Sequence, residues 1–188
     1  MKTLKIMSAL ASTLIACSFG STSASAAQSN VTIQACIADE TYDATSRVAG
    51  WLPTNLTSPT VFGLSTGIIG NRTATTNLLY TGSTPITKSA LVADASLTYG
   101  IGYAVQSNLT KNWNYVGTIP AGSTGRILAL HKADKITFTK YVNKADCTTD
   151  SFSGLVAYVP YSTTLASSYC SIVDVIPNKT NWSTGCVD

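Results

Sequence analysis

Alternation between large apolar and small or polar residues constrains this chain more than any other feature. In Leu97-Thr98-Tyr99-Gly100-Ile101-Gly102-Tyr103-Ala104-Val105 every odd-numbered position is large and apolar. Successive strand side chains point to opposite faces, so this period of two predicts a strand burying Leu97, Tyr99, Ile101, Tyr103 and Val105. Gly100 and Gly102 fall on the other face, where a second backbone or a ligand could come close. Val31-Thr32-Ile33-Gln34-Ala35-Cys36-Ile37 alternates in the same way. A strand so near the start of a chain serves as an edge strand or is donated to a neighbouring subunit. No helical period of 3.6 runs beyond two turns, though residues 163–168 are compatible with a short helix.

Two further β-rich runs, 126–132 and 135–142, are separated only by Ala133-Asp134, which predicts a hairpin. Shorter strands are expected over 60–64, 67–70, 75–81, 86–93, 115–119, 154–160 and 170–177. Turn formers dominate 50–59, and polar loops are expected over 108–114 and 143–153. Many short strands with frequent turns predict an all-β fold, an antiparallel β-sandwich or jelly-roll-like single domain spanning 28–188.

The start of the chain speaks to compartment. Lys2 and Lys5 precede an apolar run over 6–16, too short to span a bilayer, and then Ala24-Ser25-Ala26-Ala27-Gln28. This predicts a signal peptide over 1–27, cleaved after Ala26 or Ala27, and hence export. The alternative is Leu14-Ile15-Ala16-Cys17, which resembles the lipobox of bacterial lipoproteins. There the signal is 1–16, Cys17 is lipidated, and the chain carries a lipid anchor. The alanine-rich signal has a bacterial style.

Cysteine parity agrees with export. Five cysteines less Cys17 leave Cys36, Cys147, Cys170 and Cys186, an even set that predicts two disulfides. Three pairings are possible. The most local, Cys170 with Cys186, closes a loop worth roughly 3 kcal/mol and leaves Cys36 to Cys147. With no Cys-x-x-Cys, thiol redox chemistry is not indicated.

Charge excludes more than it suggests. Charged residues are only 11% of the chain, against a typical value of about 25%. Without Lys2 and Lys5, ten basic residues face nine acidic ones. That balance argues against nucleic acid, whose binding rests on phosphate neutralisation. The local excess of Arg126, Lys132, Lys135, Lys140 and Lys144 around His131 reads as edge-strand lysines that block sheet-to-sheet association.

Catalytic signals are absent. His131 is the single histidine and Glu40 the single glutamate, and no Gly-x-Ser-x-Gly, His-Glu-x-x-His or phosphate-binding loop occurs. His131 is expected on a surface or sheet face. Asp39, Glu40 and Asp43 lack the spacing of a calcium loop and read as a solvated turn. No catalytic residue, metal or cofactor is assigned. Trp51, Trp113 and Trp182 are the candidate ligand-binding residues, in Trp- and Asn-bearing loops. Asn-x-Ser/Thr triplets begin at Asn30, Asn55, Asn71, Asn108, Asn178 and Asn181, where composition alone gives roughly two or three.

One segment carries a resemblance. Leu97-Thr98-Tyr99-Gly100, then Trp113, then Gly117-Thr118-Ile119-Pro120-Ala121-Gly122 resembles the later part of spore-coat-U-type pilin subunits. The cysteine-bearing tail after residue 142 departs from that pattern. The resemblance implies a pilus-like or adhesive role. The expected function is therefore a non-enzymatic, secreted, periplasmic or cell-surface protein for adhesion or surface assembly, whose partner is a surface glycan or another subunit. The alternatives are a secreted or periplasmic module that binds a glycan or small ligand, and a hydrolase or enzyme inhibitor. No membrane span is expected.

Overall fold

The computed structural model describes residues 36–162 and 168–176. The fold is all-β with antiparallel sheets. Its strands are β1 (Asp39–Thr57), β2 (Val61–Phe62), β3 (Ser65–Asn77), β4 (Leu79–Tyr80), β5 (Gln106–Thr118), β6 (Thr124–Asn143), β7 (Thr149–Pro160) and β8 (Tyr169–Ile176). One helix, α1 (Lys88–Tyr99), interrupts them. No helix among the described residues is long and apolar enough to cross a membrane.

Strand β6 is the spine. β1 pairs along one edge of it, from Asp39 opposite Asn143 to Thr57 opposite Leu128, and β2 continues that edge opposite Gly125 and Thr124. The other edge is shared end to end. β7 covers residues 133–143, and β8 covers residues 124–131. Lys132 lies between them, and its carbonyl accepts the Tyr161 N–H at 3.1 Å. β4 pairs with the far edge of β7, completing a six-stranded sheet. β3 and β5 form a separate two-stranded ribbon.

The ribbon packs on the first half of β6, where Ile68, Ala74, Trp113, Ile127, Ala129 and Tyr169 form one apolar cluster. The helix packs on the second half, where Leu91 and Ala95 meet Tyr42, Ala44, Ile136, Phe138, Ala157 and Val159. Strand parity puts Ile127 and Ala129 on one face of β6, and Ile136 and Phe138 on the other. The link from α1 to β5 follows the end of β7: Ala104 N–H donates to the Pro160 carbonyl and Ser162 N–H to that of Gly102. A Cβ on Gly102 would lie 2.8 Å from Ser162 Oγ, so it is the side chain of the residue after Tyr161 that comes close there.

Several local expectations are corrected. Residues 97–105 are not a strand. Leu97 ends up 86% exposed on the last turn of α1, and Gly100 closes that helix in the left-handed region at φ 65°. Residues 86–93, read as a strand, supply the helix start. Leu91 and Ala95, four residues apart, are its buried stripe.

The hairpin at Ala133-Asp134 does not form. Both residues are buried mid-strand in β6, with Gly50 and Ala49 on one side and Pro160 and Val159 on the other. Arg126, Lys132, Lys135 and Lys140 are consequently not edge residues, since they lie within β6, which is paired on both edges; Lys144 lies in the β6–β7 turn. The region read as a turn over 39–43, and 50–57 of that read over 50–59, belong to β1, whose other edge pairs with no strand among the described residues, which suits Pro53. The predicted loop at 108–114 is the middle of β5. Strands read as short over 67–70 and 75–81 belong chiefly to the single long β3. Cys36 and Ile37 precede β1 outside any strand, and residues 31–35 lie outside the described ones.

Cys36 and Cys147 are bonded, as expected, tying the start of β1 to the β6–β7 turn across 111 residues. Cys170 is buried and is not a free thiol. Its expected partner Cys186 lies outside the described residues, as do the signal region, Cys17, most of the short helix expected over 163–168, and Trp182.

Candidate interaction surface

The most distinctive surface is the outward side of the β3–β5 ribbon. Thirteen residues of each strand pair in register, from Ser65 opposite Thr118 to Asn77 opposite Gln106. Alternation turns Ile68, Ala74, Thr76, Ser107 and Trp113 inward, where they are buried. The outward positions are Ser65, Gly67, Ile69, Asn71, Thr73, Thr75 and Asn77 on β3, and Gln106, Asn108, Thr110, Asn112, Asn114, Val116 and Thr118 on β5. None of them is charged. Thr73 and Thr110 hydroxyls meet at 2.6 Å, and Ser65 and Thr118 hydroxyls at 3.2 Å. The triplets beginning at Asn71 and Asn108 have their explanation here: Asn and Thr two residues apart share a strand face.

The ribbon's two charged residues, Arg72 and Lys111, stand at the alternate positions, Arg72 exposed at the wall of a cavity. Lys111 folds inward, its Nζ 4.4 Å from the Trp113 ring centroid and 5.7 Å from that of Tyr115. Along the β3 edge two cavities open toward β1. One, of about 240 Å3, is lined by residues 56–59 with Gly67, Ile68, Ile69 and Arg72. The other, of about 370 Å3, is lined by residues 52–55 with Thr75, Asn77 and Leu79. Asn55 spans the gap by accepting the Thr75 N–H at 2.6 Å. β5 pairs with no third strand among the described residues.

The tryptophans do not form a common site. Trp113 is 1% exposed, and its indole N–H donates to the Arg72 carbonyl at 2.9 Å. It is a core residue between the ribbon and the sheet. Trp51 is half-buried against Leu128, Leu130 and Cys170. Trp182 lies outside the described residues.

Two polar groups expected at the surface or in a turn are in the interior. His131, expected on a surface or a sheet face, is 0% exposed on the face of β6 that the ribbon covers. Its Nε2 is 3.3 Å from the Ser107 hydroxyl and its ring meets Tyr169 edge-on. Burial pushes its pKa down to about 4, with the Lys132 backbone opposing only in part, so it is neutral at pH 7.

Asp134 is likewise 0% exposed. Tyr103 donates its hydroxyl to Oδ2, Tyr161 lies 3.2 Å from both oxygens, and Arg47 Nε is 2.9 Å from Oδ2. Burial, together with the Asp134 carboxylate, raises both phenols, Tyr161 to about 12. Asp134 thus holds the α1–β5 link and the end of β7 onto β6. The sequence carried no sign of it, because both tyrosines are about thirty residues away along the chain.

Glu40 accepts from Lys140 at 2.6 Å and from the Tyr42 and Thr87 hydroxyls, which hold its carboxyl below the usual range. It begins β1 rather than a solvated turn. Among the described residues no group of three His, Cys, Asp or Glu side chains could hold a metal ion. No protein-family model, curated protein or solved structure matches the chain.

Proposed function

We propose that this chain is an exported, non-enzymatic bacterial surface protein that acts in adhesion or as a subunit of a pilus-like assembly. The observation that carries this reading is the β3–β5 ribbon, thirteen residues long, whose β5 edge meets no third strand among the described residues. An unpaired strand of that length offers a row of backbone donors and acceptors to another chain. The first half of β1 is treated differently: its Ala44 N–H is capped by the Asp94 carboxylate of α1 at 2.9 Å, and its Ala44 carbonyl by the Tyr99 hydroxyl at 3.2 Å. The Cys36–Cys147 bond supports an oxidising compartment.

Size-exclusion chromatography and electron microscopy of the mature chain test this. Concentration-dependent oligomers or filaments, or attachment of cells that display the protein, are expected. A chain that stays monomeric at its highest soluble concentration and attaches no cells overturns the reading.

A further inference from the structure

We propose that the outward face of the β3–β5 ribbon, with the groove along its β3 edge, binds a neutral polysaccharide; this rests on the surface-protein reading and names its ligand. Five of the ten asparagines in the whole chain, and one of its three glutamines, stand on this face. They are Asn71, Asn77, Gln106, Asn108, Asn112 and Asn114. None of these six amide side chains makes a hydrogen bond among the described residues, whereas Asn55 and Asn143 off the face are both engaged. The amides that maintain the fold are thus distinct from those presented to solvent.

The chemistry selects the ligand class. An amide offers two donors and an acceptor, and a hydroxyl offers both roles, which matches sugar hydroxyls that also donate and accept. Phosphate, sulfate or uronate groups call for cations; the fourteen outward positions carry none, and Arg72, on the wall of one cavity, is the single cation lining the groove. A protein partner calls for aromatic anchors at the centre of the patch. Here the apolar residues are only Ile69 and Val116, both toward one end.

The arrangement also selects for a polymer. Outward side chains recur about every 6.6 Å along each strand and about 5 Å across the pair, an extended grid rather than a concave pocket. Ile69, Thr75 and Asn77 belong both to the outward face and to the cavity walls along the β3 edge. A chain lying on the grid can therefore also fill that groove.

The test is retention of the mature protein on insoluble cellulose, chitin and β-1,3-glucan, with pectate as the anionic comparison, across a salt series. Retention on at least one neutral polymer, unchanged by salt, is expected. The triple variant Asn71→Ala/Asn108→Ala/Asn112→Ala should weaken it tenfold or more, and Asn112→Lys should weaken it without removing side-chain volume. Asn143→Ala, at the far end of β6, should leave it unchanged. All the altered face residues are exposed, and circular dichroism confirms that each variant is folded. Binding to no neutral polymer, binding to pectate alone, or full binding by the triple variant overturns the proposal. A protein that forms filaments but binds no neutral polymer refutes this site and leaves the assembly reading standing. A strict monomer that attaches no cells, yet binds through these amides, does the reverse.

Discussion

The His131 imidazole meets the Tyr169 ring edge-on, with 4.3 Å between centroids, on paired positions of β6 and β8. This places the chain's single histidine at the interface of the six-stranded sheet and the ribbon. It also makes folding sensitive to acid. The unfolded chain protonates this histidine below its ordinary value of 6.5, while the folded chain resists until about 4. Unfolded molecules then bind the extra proton, so stability falls as pH drops from 6.5 to 4 and levels off below. The loss from this group is on the order of 3 kcal/mol. Urea unfolding across that window measures it, and a flat profile contradicts the burial. Glu40, whose carboxyl is lowered, adds a further loss as pH falls below its ordinary value of 4.5.

The Asp134 network predicts a strong response to losing its cation. Arg47→Met leaves a buried carboxylate facing two phenols with no positive partner. A destabilisation of about 3 kcal/mol is expected. Tyr103→Phe removes one donor and should cost about 1–3 kcal/mol. Denaturant midpoints check both. An Arg47→Met midpoint equal to that of the wild type removes the ionic role assigned here.

The Cys36–Cys147 bond closes a segment of 111 residues. Loop-closure entropy puts its contribution at up to about 5 kcal/mol. The Cys36→Ser/Cys147→Ser variant should lose between about 2 and 5 kcal/mol and keep its β-sheet circular dichroism. Thermal and urea unfolding of this variant beside the wild type reads the difference.

Trp113 should act on stability and not on ligand binding. Trp113→Ala opens a cavity among Ile68, Ala74, Ile127 and Tyr169 and should cost about 3–5 kcal/mol. Trp113→Phe, milder, should retain glycan binding within a factor of two while lowering Tm. Binding lost in step with the indole would place the ligand on the inner side of the ribbon instead.

Local pattern misled where a short window satisfied two periods. Residues 97–105 alternate, yet 97–99 are the end of a helix and the remainder is a connection. The helix did leave marks: the Leu91/Ala95 spacing, its alanines, and Gly100 just beyond its end. Asn108, Asn112 and Asn114 disguised β5 as a loop, because asparagine is depleted in strands. At those positions the side chains face solvent, and the paired backbone together with inward Ser107, Leu109, Lys111 and Trp113 holds the strand.

What the sequence alone determined was the class: all-β, with an even set of four cysteines beyond Cys17, little charge and much hydroxyl; the structure then showed Cys36 paired with Cys147. Alternation and cysteine parity are local or countable properties, so they can be read without a structure. Only the tertiary structure decided that β6 runs unbroken through Ala133-Asp134, because the partners that satisfy a buried Asp134 come from Arg47, Tyr103 and Tyr161. Only it gathered half of the asparagines onto one uncharged face, because the register of β3 against β5 brings together residues about thirty to fifty positions apart in the chain.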